Sequence, residues 1–386
     1  MPLGPPFADF DYDFIVTGAG AAGRSFVYQL LDSAWRDARV LLLDREAKNT
    51  DDRTWSFWEA EAGPFEAAVR HRWPYLWVYN GDFSRRMDIA PFTYKMILAS
   101  DYYRFTDERF ARAPRVEQRR TDVREIRNTP RGVAVTTAAG TYTARWCIDS
   151  TTRPAINKSA VNYLDQHFRG WFIESEEPVF RPDEAVMMDF RTPQEGEFRF
   201  LYVLPTSPTE ALVEVAIFSN RHQTAAGYDQ IIENYLKEHW PALKNYRILR
   251  TEAGNIPMTD YAFPSHDDNI VYVGMNGGDT RASTGYTFLY IHRRVARMIA
   301  GLVERGDPRV PDPFALRRHR WYDGVMLEVL EKQRYPGAAL FQSLFEHNPP
   351  QRLLRFLNAE SGLLEEVALM STMPVGVFAR TALGAR

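Results

Sequence analysis

Residues 11–44 read DYDFIVTGAGAAGRSFVYQLLDSAWRDARVLLLD, and the fold turns on how this stretch is parsed. DFIVTG is an apolar strand. AAGRSFVYQLLDSAW follows with Phe26, Leu30 and Leu31 along one side, as an amphipathic helix requires. VLLLD is a second strand, apolar throughout like a parallel strand buried on both faces. Between strand and helix lies Gly18-Ala19-Gly20-Ala21-Ala22-Gly23. In a G-x-G-x-x-G turn the first glycine allows the tight bend, the second lets backbone approach a pyrophosphate, and the third lets helix and strand pack closely. The helix N-terminus adds a partial positive charge. Asp44 ends the second strand 21 residues after the last glycine, where a carboxylate binds ribose hydroxyls and disfavours a 2′-phosphate. The unit therefore predicts a dinucleotide-binding domain.

The bulk composition narrows what such a domain serves. With 386 residues the chain exceeds one hydrophobic core, so two or more intertwined domains are expected. Apolar residues at 45% and charged residues at 25% describe a soluble globular protein, and a net charge of −3 argues against a nucleic-acid binder. Aromatics at 13% suit a large apolar cavity. The single cysteine, Cys147, excludes an internal disulfide and a cysteine-based metal or cluster site. The eight histidines never fall at metal-ligand spacing, and no H-E-x-x-H or G-x-S-x-G element occurs, so no metal is expected. The opening PLGPPFADFDYD lacks the basic region of a signal peptide, and no run of 18 apolar residues is present. The expected location is the cytoplasm.

Further along, residues 73–105 mix short strand-like runs (YLWVYN, RMDIA) with an expected helix, TYKMILASDYYRFTDERF. TDVREIRNTPRGVAVTTAAGTYTARWCIDS reads as a three-stranded meander, and FRFLYVLPTSPTEALVEVAIFS as a hairpin turned at PTSPTE. NIVYVGMNGG is a parallel-type strand ending in glycines, followed by the helix YTFLYIHRRVARMIAGLVERG, and from about Pro313 the pattern is helical. Two glycine-bearing nucleotide segments more than 200 residues apart point to FAD, because a simple NAD domain keeps its site in one stretch. The expected class is α/β, a Rossmann-like FAD-binding domain interleaved with a β-rich substrate domain, plus an α-helical C-terminal region. The FAD-binding domain takes residues 1–72, 116–155 and 266–306. The substrate domain takes 73–115 and 156–265, and the helical region 307–386. Cofactor-binding candidates are Gly18, Gly20, Gly23 and Asp44, with Arg53, Trp55, Val123, Gly274, Gly277, Gly278, Thr284 and Gly285.

One strand carries an anomaly. In EALVEVAIFSN (residues 210–220) one face holds Val213, Val215 and Ile217, the other Leu212, Glu214, Ala216 and Phe218. A buried, unpaired carboxylate costs several kcal/mol or takes up a proton. Glu214 is either a strand carboxylate at the surface, paired with a neighbour such as Arg199, or is buried for a chemical reason.

GAGAAG, DDRTWSFWE, QHFRGWFIE, MDFRTPQEGEFRFLYVLPTSPTEALVEVAIFS, EAGNIPMT, GGDTRASTGYTF and LFEHNPPQRLLRFLNAESGLLEEVALMSTMPVGVFARTAL together resemble bacterial lycopene cyclases over nearly the full length. Aromatic hydroxylases and flavin halogenases carry a GDAAH-type block where this chain reads GMNGGDTRASTGY. The resemblance implies a flavoprotein that closes β-rings on the ψ-ends of lycopene without net redox change, an intramolecular lyase or isomerase in carotenoid biosynthesis. It implies reduced FAD, NAD(P)H as the electron source, and the glutamate of an A-L-V/I-E motif as catalytic acid, here Glu214. A glutamate flanked by Leu212, Ala216 and Phe218 is desolvated and would hold its proton, as protonation of an alkene demands. Tyr202, Tyr286, Trp55, Trp58 and Phe218 are candidates to stabilise the resulting cation. The family more often continues after this glutamate with tyrosine and threonine; Val215 and Ala216 stand there instead, removing hydrogen-bond partners.

Arg53 reads either as a pyrophosphate contact or as the rim of a buried strand, and Trp55 as a flavin or polyene wall or as core. Asp279 reads as a second acid/base or as a helix N-cap. A bilayer substrate implies peripheral docking on the inner face of the plasma membrane, for which LRRHRW (316–321) and RLLRFLN are candidates, ordinary covering helices being the alternative. Competing readings are an NAD(P)H-dependent flavin monooxygenase or halogenase, a geranylgeranyl-reductase-like flavoenzyme, and a carotenoid- or flavin-binding protein without activity.

Overall fold

The computed structural model describes residues 9–384, so most of the Pro-rich opening segment lies outside the described residues. The decisive stretch forms β1 (Tyr12–Thr17), α1 (Ala21–Leu30) and β2 (Val40–Asp44). Helix α1 stops at Leu30, short of the expected Trp35, because Ser33 turns its hydroxyl onto the Leu30 carbonyl (2.7 Å). Trp35 still enters the core, its indole nitrogen donating to the Leu302 carbonyl.

Next come β3 (Thr54–Glu59), β4 (His71–Trp73), β5 (Tyr75–Asn80), β6 (Phe83–Asp88) and β7 (Thr93–Leu98), then α2 (Ala99–Phe110). The helix expected to begin at Thr93 is thus corrected. TYKMIL is a strand, because it fills the gap between β3 and β4 and pairs antiparallel with both. Only ASDYYRFTDERF keeps the helical period.

The chain continues with β8 (Val116–Arg120) and the expected meander β9 (Val123–Asn128), β10 (Val133–Thr137) and β11 (Gly140–Asp149). The β-rich stretch holds β12 (Tyr163–Ser175), β13 (Glu184–Asp189), β14 (Phe198–Pro205), β15 (Glu210–Phe218), α3 (Ala225–His239) and β16 (Tyr246–Thr259). Then follow β17 (His266–Asp267), β18 (Ile270–Tyr272), α4 (Phe288–Arg305), α5 (Phe314–Glu331), α6 (Gly337–His347), α7 (Pro350–Leu357), α8 (Leu363–Met370) and α9 (Val375–Gly384).

Three sheets organise these elements. The first has a parallel centre, β8-β2-β1-β11-β18, extended by the meander and β17. Helices α1 and α4 bury Phe26, Leu30, Val295 and Leu302 against it. The second runs β16-β12-β15-β14-β13-β5-β6. One face carries Val213, Val215 and Ile217 against Ile232, Tyr235 and Leu236 of α3. The other carries Leu212, Ala216 and Phe218 into a larger core with Leu340, Phe341 and Leu344 of α6. The third, β3-β7-β4, lies between the two cores: Phe57 and Ile97 join the nucleotide side, Trp58, Tyr94 and Met96 the other.

The C-terminal helices belong to the same body. Leu353, Leu354 and Leu357 of α7 are buried, so the leucines of RLLRFLN pack in the core, as the covering-helix alternative has it. The buried Arg281–Asp323 pair, in a two-point contact of 2.6 and 2.7 Å, ties α5 to the loop before α4.

Candidate functional site: a cavity between the nucleotide turn and Glu214

The second sheet forms the floor of a cleft of about 1750 Å³, counting the open space at its mouth. Strand register sets four positions side by side on one face: Tyr202 on β14, Glu214 on β15, Gly170 on β12 and Glu252 on β16. Directly paired residues share a face, so these side chains converge. Gly170 is the gap that makes this possible, since a Cβ there would lie 2.5 Å from Glu214 Oε2. Glu214 and Glu252 meet across it.

Glu214 is 1% exposed. Burial, then the negative charge of Glu252 and the hydrogen bond with it, push its carboxyl well above the usual range. Tyr202 donates its hydroxyl to Glu214 Oε1. Oε2 faces no donor, so a charged carboxylate would leave it unmet, whereas a protonated carboxyl turns it into a donor towards Glu252. Glu252 is itself raised by burial, but less freely: Thr54 Oγ1 donates to its Oε2 at 2.7 Å. The surface alternative for Glu214 fails. Arg199 sits opposite Ile217, on the other face, and pairs with Glu195 and Glu197.

Aromatic side chains make up much of the wall around these carboxyls. Trp55 and Tyr94 come from the third sheet, Tyr286 and Phe288 from the late loop and α4, Phe168 and Phe200 from the floor. Trp55 stacks on Phe288 at 5.2 Å, and Tyr286 meets Trp58 edge-on at 4.6 Å. Of the five aromatic candidates, Trp55, Tyr202 and Tyr286 line the cleft. Trp58 and Phe218 do not. Trp58 backs Tyr286 and donates its indole nitrogen to the Leu354 carbonyl, while Phe218 packs on Phe198 at 5.0 Å.

At its other end the cleft reaches Gly20, Ala21 and Ala22, with Ser150, Gly274 and Met275 beside them. Helix α1 starts with no side-chain cap and no acid in its first turn, so its amide hydrogens are open to an anion. The close approaches are real: a Cβ on Gly23 would lie 2.0 Å from the Gly18 carbonyl oxygen, and one on Gly18, at φ +90°, 2.1 Å from Ser150 Oγ. Asp44 sits at the end of β2 and accepts the Ala19 amide at 2.7 Å. Thr284 Oγ1 and Gln166 Oε1, both on residues lining the cleft, are buried without hydrogen-bond partners. An uncapped helix start, a carboxylate beyond it and orphaned polar atoms along the wall fit an extended polar cofactor.

Arg53, Trp55, Gly274, Thr284 and Gly285 also line the cleft. Gly18, Gly23 and Asp44 shape the turn without lining the cleft, and three further candidates do not line it either. Val123 begins β9 and packs with Ile126 and Tyr142 at the edge of another core. Gly277 lies in a turn within 3 Å, by its would-be Cβ, of the Tyr272 backbone, and Gly278 faces Phe263. Asp279 accepts the Gly274 amide at 2.6 Å and pairs with Arg294 at 3.0 Å. It braces the glycine loop, since the residue capping α4 is Thr287. Sequence reasoning left Glu252 without a role. The signal was Gly170, because a glycine inside a strand marks a close approach.

Comparison with known proteins is decisive at this point. The family model described as lycopene cyclase protein matches residues 13–383. The chain belongs to the lycopene cyclase family. A lycopene beta-cyclase of Paracoccus sp. (strain N81106 / MBIC 01143) is 28% identical over 384 residues, covering 92% of this chain and 89% of the relative. The lycopene beta-cyclase of Pantoea ananas is 28% identical over 388 residues, covering 94% and 95%. Among solved structures, a flavin-dependent brominase aligns with a TM-score of 0.66 at 14% identity, over 96% of this cyclase-family chain and 99% of its own. That likeness is one of fold.

Proposed function

We propose that this protein is a lycopene β-cyclase in which Glu214 protonates the polyene end. The observation that carries the reading is the single cleft joining the α1 N-terminus to a buried glutamate that holds its proton. The backbone of Gly20, Ala21 and Ala22 would hold the pyrophosphate of FAD, with Asp44 on a ribose and Arg53 as countercharge. Bound and reduced, with NAD(P)H as the electron source, FAD would supply electron density that favours a positive charge, while the product keeps none of its electrons.

The chain's own residues supply the acid chemistry. The Glu214 O–H bond breaks as a C–H bond forms at the terminal alkene, leaving a tertiary cation. An internal alkene attacks that carbon and closes the six-membered ring, and loss of a neighbouring proton gives the β-ring. Tyr202 orients the acid through its hydroxyl. Trp55, Phe200 and Tyr286 would present π faces to the cation, each worth about 0.5–2 kcal/mol, and a polyene filling the cleft would displace water that could quench it.

The substrate class also bears on location. No single helix among the described residues is long and apolar enough to cross a membrane. Helices α8 and α9 expose Leu363, Leu364, Val367, Val375 and Leu383, and α5 exposes Phe314 and Trp321. Exposed apolar side chains in such number favour an interfacial position. In our reading they dock the protein peripherally on the inner face of the plasma membrane.

Expression in a lycopene-accumulating bacterium, with pigments resolved by chromatography and mass, tests the function. A cyclic isomer of unchanged mass is expected. An added oxygen would instead indicate a monooxygenase, added hydrogens a reductase, and unchanged lycopene with FAD bound would overturn the cyclase reading.

A further inference from the structure

We propose that Glu252 is a positioning residue that shares a single proton with Glu214 across Gly170, so that the acid works as one half of a carboxyl pair. The inference rests on the cyclase reading for its catalytic meaning, but the pairing is a property of the fold. Two carboxyls are brought to one spot by adjacent strands, and the residue between them has no side chain. Two negative charges in contact and out of water repel strongly, so the pair keeps one proton between them.

The surroundings decide where the proton rests. Glu252 receives the Thr54 hydroxyl at 2.7 Å and has Arg250 at 3.8 Å on its own strand, both favouring its ionised form, with Asp51 nearby opposing them. Arg250 is otherwise engaged, stacked on Phe172 and donating to the Asp51 carbonyl. Glu214 faces Tyr202 from β14, with the Tyr94 ring from β7 close enough to feel its charge, and no cation among its partners. The proton therefore sits on Glu214 and the charge on Glu252.

This arrangement serves both halves of a reaction that consumes no net proton. When Glu214 gives its hydrogen to the alkene, two carboxylates are left facing the new cation, which lowers the energy of that charge separation. The same repulsion makes the pair a strong base, so the proton released from the ring is recaptured and the resting state restored. A lone buried glutamate would leave only one negative charge for both effects.

The test uses the FAD-loaded protein without carotenoid. The infrared carbonyl band of the protonated carboxyl is followed across pH in wild type and in Glu252→Gln. Removing the neighbouring charge and supplying an amide donor should move the loss of the band to lower pH by about one unit or more, a tenfold change in proton affinity. The alkaline limb of the cyclisation rate should move with it, in kcat more than in KM. Thr54→Val, which keeps both carboxyls, should raise the lower of the two titration steps. An unmoved titration in either variant overturns the pairing. If the band shifts as stated but wild type leaves lycopene unchanged, the shared proton stands and the cyclase reading falls.

Discussion

Glu214 holds its proton because of what its neighbours are unable to do. Leu212, Ala216 and Phe218 offer no hydrogen bonds, and Ala216 supplies none of the polar contact that a threonine there would, while Val215 points to the opposite face against α3. Tyr202 takes over that part from the adjacent strand. Glu214→Gln should lower cyclisation about 10²–10⁴-fold, the usual range for a lost general acid, with FAD still bound. Tyr202→Phe should leave a folded protein, cost about 1 kcal/mol of stability and slow turnover by less than the loss of the acid. A carboxyl whose folded pKa is raised binds its proton more tightly in the fold than in the unfolded chain. Its contribution is intact below the ordinary glutamate pKa and is lost as pH rises from there through the folded value. Glu214→Gln should accordingly be more stable than wild type at neutral and alkaline pH, with the gap closing in acid. Thermal melts across pH check this.

At the scale of elements, the parts read correctly from sequence are those whose pattern is local. The strand–turn–helix–strand unit, the meander, the 198–218 hairpin and the helical tail all carry their own periodicity and turn residues. TYKMIL misled because its identity as a strand is fixed by β3 and β4, whose paired residues all lie more than 20 positions earlier in the chain, and no local signal reports that. The site divides the same way. Gly18, Gly20, Gly23, Asp44 and Glu214 stand out in the sequence by motif and alternation, whereas Glu252 acquires meaning only from the register that sets it across Gly170. The RLLRFLN stripe is amphipathic, as a membrane helix is, but an amphipathic face fits a core equally well. The junction of α5 with the late loop offers a direct check on how the roof is held. Arg281 and Asp323 are both buried and paired at two points, and Ser283 also donates to Asp323. Asp323→Ala should destabilise the protein by about 3–5 kcal/mol in denaturant unfolding, because it strands a buried guanidinium.

For the molecule as a whole, the two cores meet along the third sheet, and the cleft runs through that meeting place from the α1 turn to the carboxyl pair. The geometry lets a bound dinucleotide and a long apolar substrate approach one another while the sheet floor keeps the acid dry. The exposed apolar side chains of α8 and α9 would bring the protein to the bilayer that holds such a substrate. Replacing Leu364 and Val367 together by glutamate should reduce co-flotation with anionic vesicles at least several-fold, without changing the unfolding midpoint, since both side chains are largely exposed. The central claim, that Glu214 delivers a solvent-exchangeable proton to the polyene end, is tested most directly by running the anaerobic reaction in D2O with reduced FAD and lycopene. The account predicts a cyclic product carrying one deuterium for each ring closed, and no such product from Glu214→Gln. A ring closed without deuterium, or a Glu214→Gln variant that cyclises at the wild-type rate, would contradict it.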